Sequence, residues 1–479
     1  MTDQPLALAS ASEQLEWLDA GRIGAVDLLD LTLERVDRFN PELNLVVAFD
    51  RDGARAAAQE TDRRRAAGET LGPLAGLPIT VKDSYEVVGM PATCGLEMLR
   101  DHRPEQDADA VAQLKAAGAI VFGKTNLPAG ASDWQSFNPV YGLSRNPWNP
   151  DRTVGGSSGG SAGAVASGFT AFELGSDIAG SIRIPAHFCG VFGHKPTYDL
   201  VPLRGHIPPL PGMLHQPQLG VAGPLARSAA DLALLLPLLA RSGARPRLSQ
   251  PGQKRLEDFR VGIWMGEGAY RLDGGYRSAL EAFVDDLRNA GASIEPVQLP
   301  VDPRESQEIY LQTLFAIVGA PAPEEAGAFE QLAAEDDTGI AAKLARYMRT
   351  SLGEWFGLAE KREHLFRAWA DFFTRYDALL CPAAPVVAFP HMAEGSGVHS
   401  AQLFRRITVD GKPAPYLDFT WQGLATVANL PATVMPSGRL VEGVPAGIQV
   451  IGPSFGDLTT IRFAEVAERA TGGFRAPPL

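Results

Sequence analysis

The 479-residue chain has little of what disulfide, metal or nucleic-acid proteins display. Only three cysteines occur, Cys94, Cys189 and Cys381, which is no disulfide framework and favours a reducing compartment. The eight histidines are scattered, and even His187 and His194 stand too far apart for zinc-ligand spacing, so neither a metal nor an organic cofactor is expected. Basic residues are outnumbered, 43 Lys and Arg against 56 Asp and Glu, and the net charge of −13 leaves no electrostatic footprint for nucleic acid or a membrane surface. Long apolar runs are missing too: LALLLPLLA at 232–240 is too short to span a bilayer and contains Pro237. The first residues show no basic region followed by an apolar core, so a cytoplasmic location is expected.

What is present is glycine, 50 residues of it, gathered around serines. GGSSGGSAGA fills 155–164, GSDIAGSIRIPA fills 175–186, and VKD stands upstream at 81–83. A lysine at the end of an apolar segment, with two serines in glycine-rich turns, supplies a base, a relay and a nucleophile without histidine. Glycine suits such turns because backbone N–H groups must point at a developing oxyanion and the substrate must come close. Lysine is a base only when neutral, and lowering its pKa from about 10.4 to near 7 takes roughly 4 to 5 kcal/mol of burial or neighbouring positive charge. Leu77, Ile79 and Val81 make Lys82 the end of an apolar strand of that kind.

Two other motifs fit less well. GGSSG at 155–159 satisfies the G-x-S-x-G nucleophile elbow, but that motif follows an apolar strand, and NPWNPDRTV is full of turn formers. The elbow would also need a late histidine, for which His391 and His399 are the candidates. No Gly-Lys-Ser/Thr ending follows the glycines, as a phosphate loop requires.

The two loops, GGSSGGSAGAVASG and GSDIAGSIRIPAHFCGVFGHKPT, resemble the central stretch of the amidase signature family. The resemblance extends to GPLAGLPITVKD at 72–83, KTNLP at 124–128, NPVYG and NPWNP within 138–150, and NLPATVMPSG with GVPAGIQVIG within 429–452. It implies that Lys82 is the catalytic lysine, Ser157 the bridging serine joined by a cis peptide to the preceding glycine, and Ser181 the acylated nucleophile. It implies a backbone oxyanion hole at Ile178, Ala179 and Gly180. The family usually has paired glycines before the nucleophile; Ala179 adds a methyl but keeps its N–H, and would be strained only at a positive φ. Ala131 matches a position lining the acyl pocket, with simple packing as the alternative. Asp177 and Arg183 match a buried charged pair with a positioning role, and Cys189 a cysteine near the active-site floor, where packing is its expected role.

Organisation follows from periodicity. Residues 5–68 read as helices on the outside of the core, with apolar spacing at Leu15, Leu18, Leu28, Leu29, Leu33 and Val36. LPITVK, DADAVAQLKAAGA and AIVFGKT read as a βα repeat, SAGAVASGF as a small-residue helix, and 259–299 as a further strand–helix–strand unit. The polar stretch 241–255 reads as a surface linker. Phe366, Trp369 and Phe373 recur at helical spacing as core residues, and the loop 201–220, with Met213, is expected to wall an apolar acyl site. The expected fold is α/β, an amidase-signature α/β/α sandwich with a large mixed central sheet covered by helices. One domain over 1–479 is expected, with N-terminal helices at 5–68, a signature core at 70–230, a variable helical region at 301–420 and a C-terminal signature stretch at 421–460.

The expected activity is hydrolysis of a small-molecule carboxylic amide, of apolar or aryl acyl type, with esters or carbamates as further substrates. A homodimer is compatible with the resemblance. The alternative is the glutaminase subunit of a tRNA-dependent amidotransferase, whose nucleophile block usually carries glutamine where this chain has Ile184 before Pro185. A catalytically dead binding protein is disfavoured by the intact Lys82, Ser157 and Ser181.

Overall fold

The computed structural model describes residues 4–243, 248, 250–252, 255–268, 270–321, 323–336, 338–392, 405–416 and 420–479. Its centre is an eight-stranded mixed sheet. The strands run in the order Ser293–Pro296, Arg260–Ile263, Ala378–Pro382, Val444–Ile451, Ala432–Val441, Phe192–Lys195, Val221–Ala226 and Phe172–Asp177. The first three are parallel and the remaining pairings antiparallel. Strands such as Val221–Ala226 and Val444–Ile451 are buried along their whole length, as expected of a sheet covered on both faces.

The βα repeat around Lys82 is present, yet it does not join this sheet. Pro78–Lys82 pairs in parallel with Ile120–Thr125 in a separate three-stranded sheet. The third strand, Val46–Phe49, corrects the all-helical expectation for 5–68. Helices Ala11–Asp19, Ala25–Leu43 and Arg51–Ala66 do form there, but Asn44 ends the second in a left-handed turn and the β-branched Val46 and Val47 follow as an edge. The small sheet meets the large one at Phe172–Asp177: Thr80 N donates to Thr170 Oγ1 at 3.1 Å, and Thr80 Oγ1 donates to Glu173 at 2.6 Å. That junction brings Lys82 beside Ser176.

Small residues allow the tightest packing. Every residue of helix Gly159–Ser167 is buried. In the long helix Leu352–Arg375, opened by a Ser351–Glu354 capping box, Trp369 is fully buried and lies 5.8 Å from Phe373, so the aromatic triplet packs as core. Residues 244–247, 249, 253 and 254 of the 241–255 linker, and His399, lie outside the described residues. Among the described residues no helix is long and apolar enough to cross a membrane.

Candidate active site

Lys82 ends its strand with no exposed surface. Its Nζ lies 2.6 Å from Ser157 Oγ and 2.9 Å from Ser176 Oγ, and both neighbours are neutral hydroxyls. Burial lowers the amine to about 7, against the upward pull of Cys94, Asp177 and Glu173. The next residue is tied down separately. Asp83 accepts from Thr93 N at 3.2 Å and faces Lys124 Nζ at 3.3 Å, and that second lysine also donates to the carbonyls of Tyr85 and Pro91.

The Gly156–Ser157 peptide is cis, and Ser158 N donates to Ser181 O at 3.0 Å, so the two glycine loops are joined through backbone. Exposure rises from 0% at Lys82 and 1% at Ser157 to 7% at Ser181, so the lysine end is the more deeply enclosed. Ser181 Oγ makes no hydrogen bond to a described residue. Catalytic hydrogen bonds are often loose before substrate binds, so this leaves the hydroxyl free for an incoming carbonyl.

The turn before Ser181 is held by charge. Asp177 accepts from Gly180 N at 2.9 Å and Ile182 N at 3.1 Å, and Arg183 donates to both its carboxylate oxygens. Arg183 reaches on to Gln422 O, Gln449 Oε1 and Thr426 Oγ1. Burial raises the Asp177 carboxyl, but the Arg183 guanidinium outweighs it and brings it to about 2. Gly180 has φ +95°, and a Cβ there would lie 2.4 Å from Gln422 Cγ. Ala179 keeps a negative φ, so its extra methyl brings no backbone strain. Of the expected oxyanion donors, Gly180 N–H is engaged by Asp177. The N–H groups of Ile178, Ala179 and Ser181 are without partners among the described residues.

The Amidase family model matches residues 27–461. This chain belongs to the amidase signature family. A curated relative from Roseiflexus sp. (strain RS-1), the A-type subunit of its glutamyl-tRNA(Gln) amidotransferase, is 32% identical, with 96% of each chain covered. Among solved structures, an amidase is similar at 30% identity and TM-score 0.78, covering 97% of this chain and 100% of its own. A chain from a vestigial complex that reveals the origins of an s-triazine catabolic enzyme is similar at 28% identity and TM-score 0.80, covering 98% and 100%. Membership supports amide hydrolysis as the reaction class.

Within this amidase fold, Ala131 has φ +55° and packs against a small apolar cluster of Ala92, Cys94, Leu127 and Ile207. Cys94 N donates to Asp83 O, so the cluster adjoins the Lys82 strand end. The 201–220 loop divides. His206 and Ile207 reach the site, whereas Leu210, Met213 and Leu214 are exposed, so Met213 walls no enclosed pocket in this conformation.

Two residues beside the lysine escaped sequence reasoning. Ser176 could have been suspected from its place in the GSD block. For His206, whose Nε2 lies 2.8 Å from Ser176 Oγ, the sequence offers no signal, because a lone histidine after Arg-Gly has no partner at fixed spacing. Two other histidines have structural partners: His194 sits between Thr433 and Asp457, and His391 against the Pro150 carbonyl.

Proposed function

We propose that the protein hydrolyses a small-molecule carboxylic amide with an apolar or aryl acyl group, through an acyl-Ser181 intermediate. Neutral Lys82 accepts the Ser157 proton as Ser157 accepts the Ser181 proton, and Ser181 Oγ attacks the carbonyl carbon. The N–H groups of Ile178 and Ala179, with that of Ser181, face the oxyanion; Gly180 shapes the turn that aims them. Ser157 then returns the proton to the leaving amine, the C–N bond breaks, and water enters by the same relay to release the carboxylate. Esters and carbamates with the same acyl geometry fit this cycle. It uses no metal and no organic cofactor.

The observation that carries the reading is Lys82 Nζ at 2.6 Å from Ser157 Oγ, in surroundings that bring the amine to about 7. The apolar cluster around Ala131 and Ile207 supports an apolar acyl group. The reading treats 1–479 as one catalytic domain acting without a second kind of subunit, as monomer or homodimer.

A second reading, the glutaminase subunit of a tRNA-dependent amidotransferase, is favoured by the 32% identity over nearly the whole chain to a protein of that kind. Against it stands Ile184, an apolar and fully buried side chain packed against Gly180. Amine release by the purified chain from acetamide, hexanamide, benzamide, an anilide, glutamine and an aryl carbamate separates the two. Turnover of apolar or aryl members, lost in Ser181→Ala, supports the hydrolase; silence, or turnover of glutamine alone, supports the amidotransferase component.

A further inference from the structure

The relay works only if its hydrogen bonds run in one direction, and any role for a residue behind Lys82 rests on the Lys82–Ser157–Ser181 reading. A neutral amine has N–H donors and a single lone pair, and it acts as base only when that lone pair faces the Ser157 hydroxyl. Among the described residues, the other hydrogen-bond partner of Nζ is Ser176 Oγ, at 2.9 Å. A hydroxyl can take either role. If Ser176 accepts from Lys82, the lone pair stays with Ser157; if Ser176 donates, it captures the lone pair and Lys82 can only donate to Ser157.

His206 decides between them. Its Nδ1 lies 2.9 Å from the carbonyl oxygen of Pro208, which can only accept, so the ring proton sits on Nδ1. Nε2 of the neutral ring is then an acceptor, 2.8 Å from Ser176 Oγ. The Ser176 proton is committed to His206, and the oxygen's lone pairs are left for Lys82. We propose that His206 is a positioning residue that sets the polarity of the Lys82–Ser157 hydrogen bond through Ser176.

The surroundings hold the ring in that role. Gly205 has φ +82°, and a Cβ there would lie 2.6 Å from Ala108 Cα, so the chain turns against the neighbouring helix with no room for a side chain. Glu86 N donates to Gly205 O at 2.8 Å and Ile207 N to Ser84 O at 2.7 Å, lacing the histidine to the segment that follows Lys82. Tyr85 meets the imidazole edge to face at 5.0 Å. Burial, then the nearby Lys82 ammonium, keep the imidazole well below its ordinary pKa, so it stays neutral where the lysine titrates.

The test compares wild type, His206→Phe, His206→Gln, Ser176→Ala and the His206→Phe/Ser176→Ala double variant on whichever panel amide the wild type turns over. Phe keeps a ring against Tyr85 without an acceptor, while the Gln carbonyl reaches about as far as Nε2. His206→Phe is expected to lower kcat about 30-fold, a part of what a positioned base contributes, with KM within about twofold. His206→Gln should recover most of that loss, and the double variant should lose no more than Ser176→Ala alone. Wild-type kcat in His206→Phe, equal losses with Phe and Gln, or additive losses in the double variant overturn the proposal. If His206→Phe does not fold, His206→Asn, whose shorter amide does not reach Ser176, takes its place with the same expected loss. Turnover surviving in Ser181→Ala would overturn the nucleophile assignment itself, a result separate from any of these.

Discussion

Replacing Lys82 with methionine should change stability in a way that depends on pH, because the wild-type lysine works against folding. Its ammonium is displaced from an ordinary pKa of 10.5 to about 7, chiefly by burial. Between those values the unfolded chain binds a proton that the folded chain does not, so wild-type stability rises with pH across that window. Below pH 7 the penalty is complete and flat, and above 10.5 it is gone. The displacement corresponds to about 4 kcal/mol at pH 7 and about 1 kcal/mol at pH 10. Lys82→Met also loses the contacts with Ser157 and Ser176, but that loss is the same at both pH values and cancels. Urea denaturation of both proteins at pH 7 and pH 10 should therefore show the stability difference moving by about 3 kcal/mol in favour of wild type at the higher pH. A change below about 1 kcal/mol would mean that Lys82 is not held neutral, and the case for it as base would fall. The same titration predicts an acidic limb near pH 7 in wild-type kcat/KM.

Gly180→Ala places a methyl 2.4 Å from Gln422 Cγ and 2.8 Å from Ile184 Cδ1 at φ +95°. Turnover should fall on the order of a hundredfold as the oxyanion turn shifts, while the melting temperature falls only modestly; near wild-type kcat would refute the turn's role. Arg183→Met leaves the Asp177 carboxylate buried without its partner and should destabilise the fold by about 3 to 5 kcal/mol at neutral pH, read from urea midpoints. Because Asp177 sits below its ordinary range, that contribution is present above pH 4 in wild type and lost as pH falls through about 2. Burial raises Glu173 to about 7, so its ionisation opposes folding above its ordinary 4.5. Glu173→Gln should gain stability relative to wild type between pH 4.5 and pH 7, up to about 3 kcal/mol, and then level off; a difference that does not vary with pH would refute the assignment.

Much of the site was legible because its chemistry lies in contiguous blocks. Lys82, Ser157 and Ser181 could be named as candidates because their blocks resemble the amidase signature; the glycines around the serines and Leu77, Ile79 and Val81 before the lysine suit that chemistry without singling those residues out. The layered α/β arrangement was legible in outline from alternating strands and helices, and the large mixed sheet from the family resemblance. The split into two sheets was not, since parallel pairing of Pro78–Lys82 with Ile120–Thr125 looks the same in a small sheet as in a large one. Val46–Phe49 was hidden by the strong helical periodicity on either side of it. His206 could not be read because its function depends on a loop returning to the segment after Lys82, over a sequence separation that carries no periodic signal.

Why Lys82, and not Lys124, is suited to be the base follows from how charge is distributed. Both amines are fully buried, and burial lowers both. Lys124 has the Asp83 carboxylate at 3.3 Å, and Arg183 has Asp177 at 2.9 Å. Each of those cations has an anion of its own, whereas the hydrogen-bond partners of Lys82 are hydroxyls. Its proton is therefore held by hydroxyls alone, with no anion hydrogen-bonded to it to offset the solvation it has lost. Supplying the missing anion should undo this. In Ser176→Asp a carboxylate would stand within about 4 Å of Nζ, where an opposite charge raises an amine's pKa by about 1 to 3 units. The acidic limb of kcat/KM should then move from near pH 7 to about pH 8–10, so that the deficit relative to wild type is at least about fivefold larger at pH 7 than at pH 9.5. A profile of unchanged shape and reduced height would show that the lysine's proton does not govern the reaction, whatever Ser176 does for the fold.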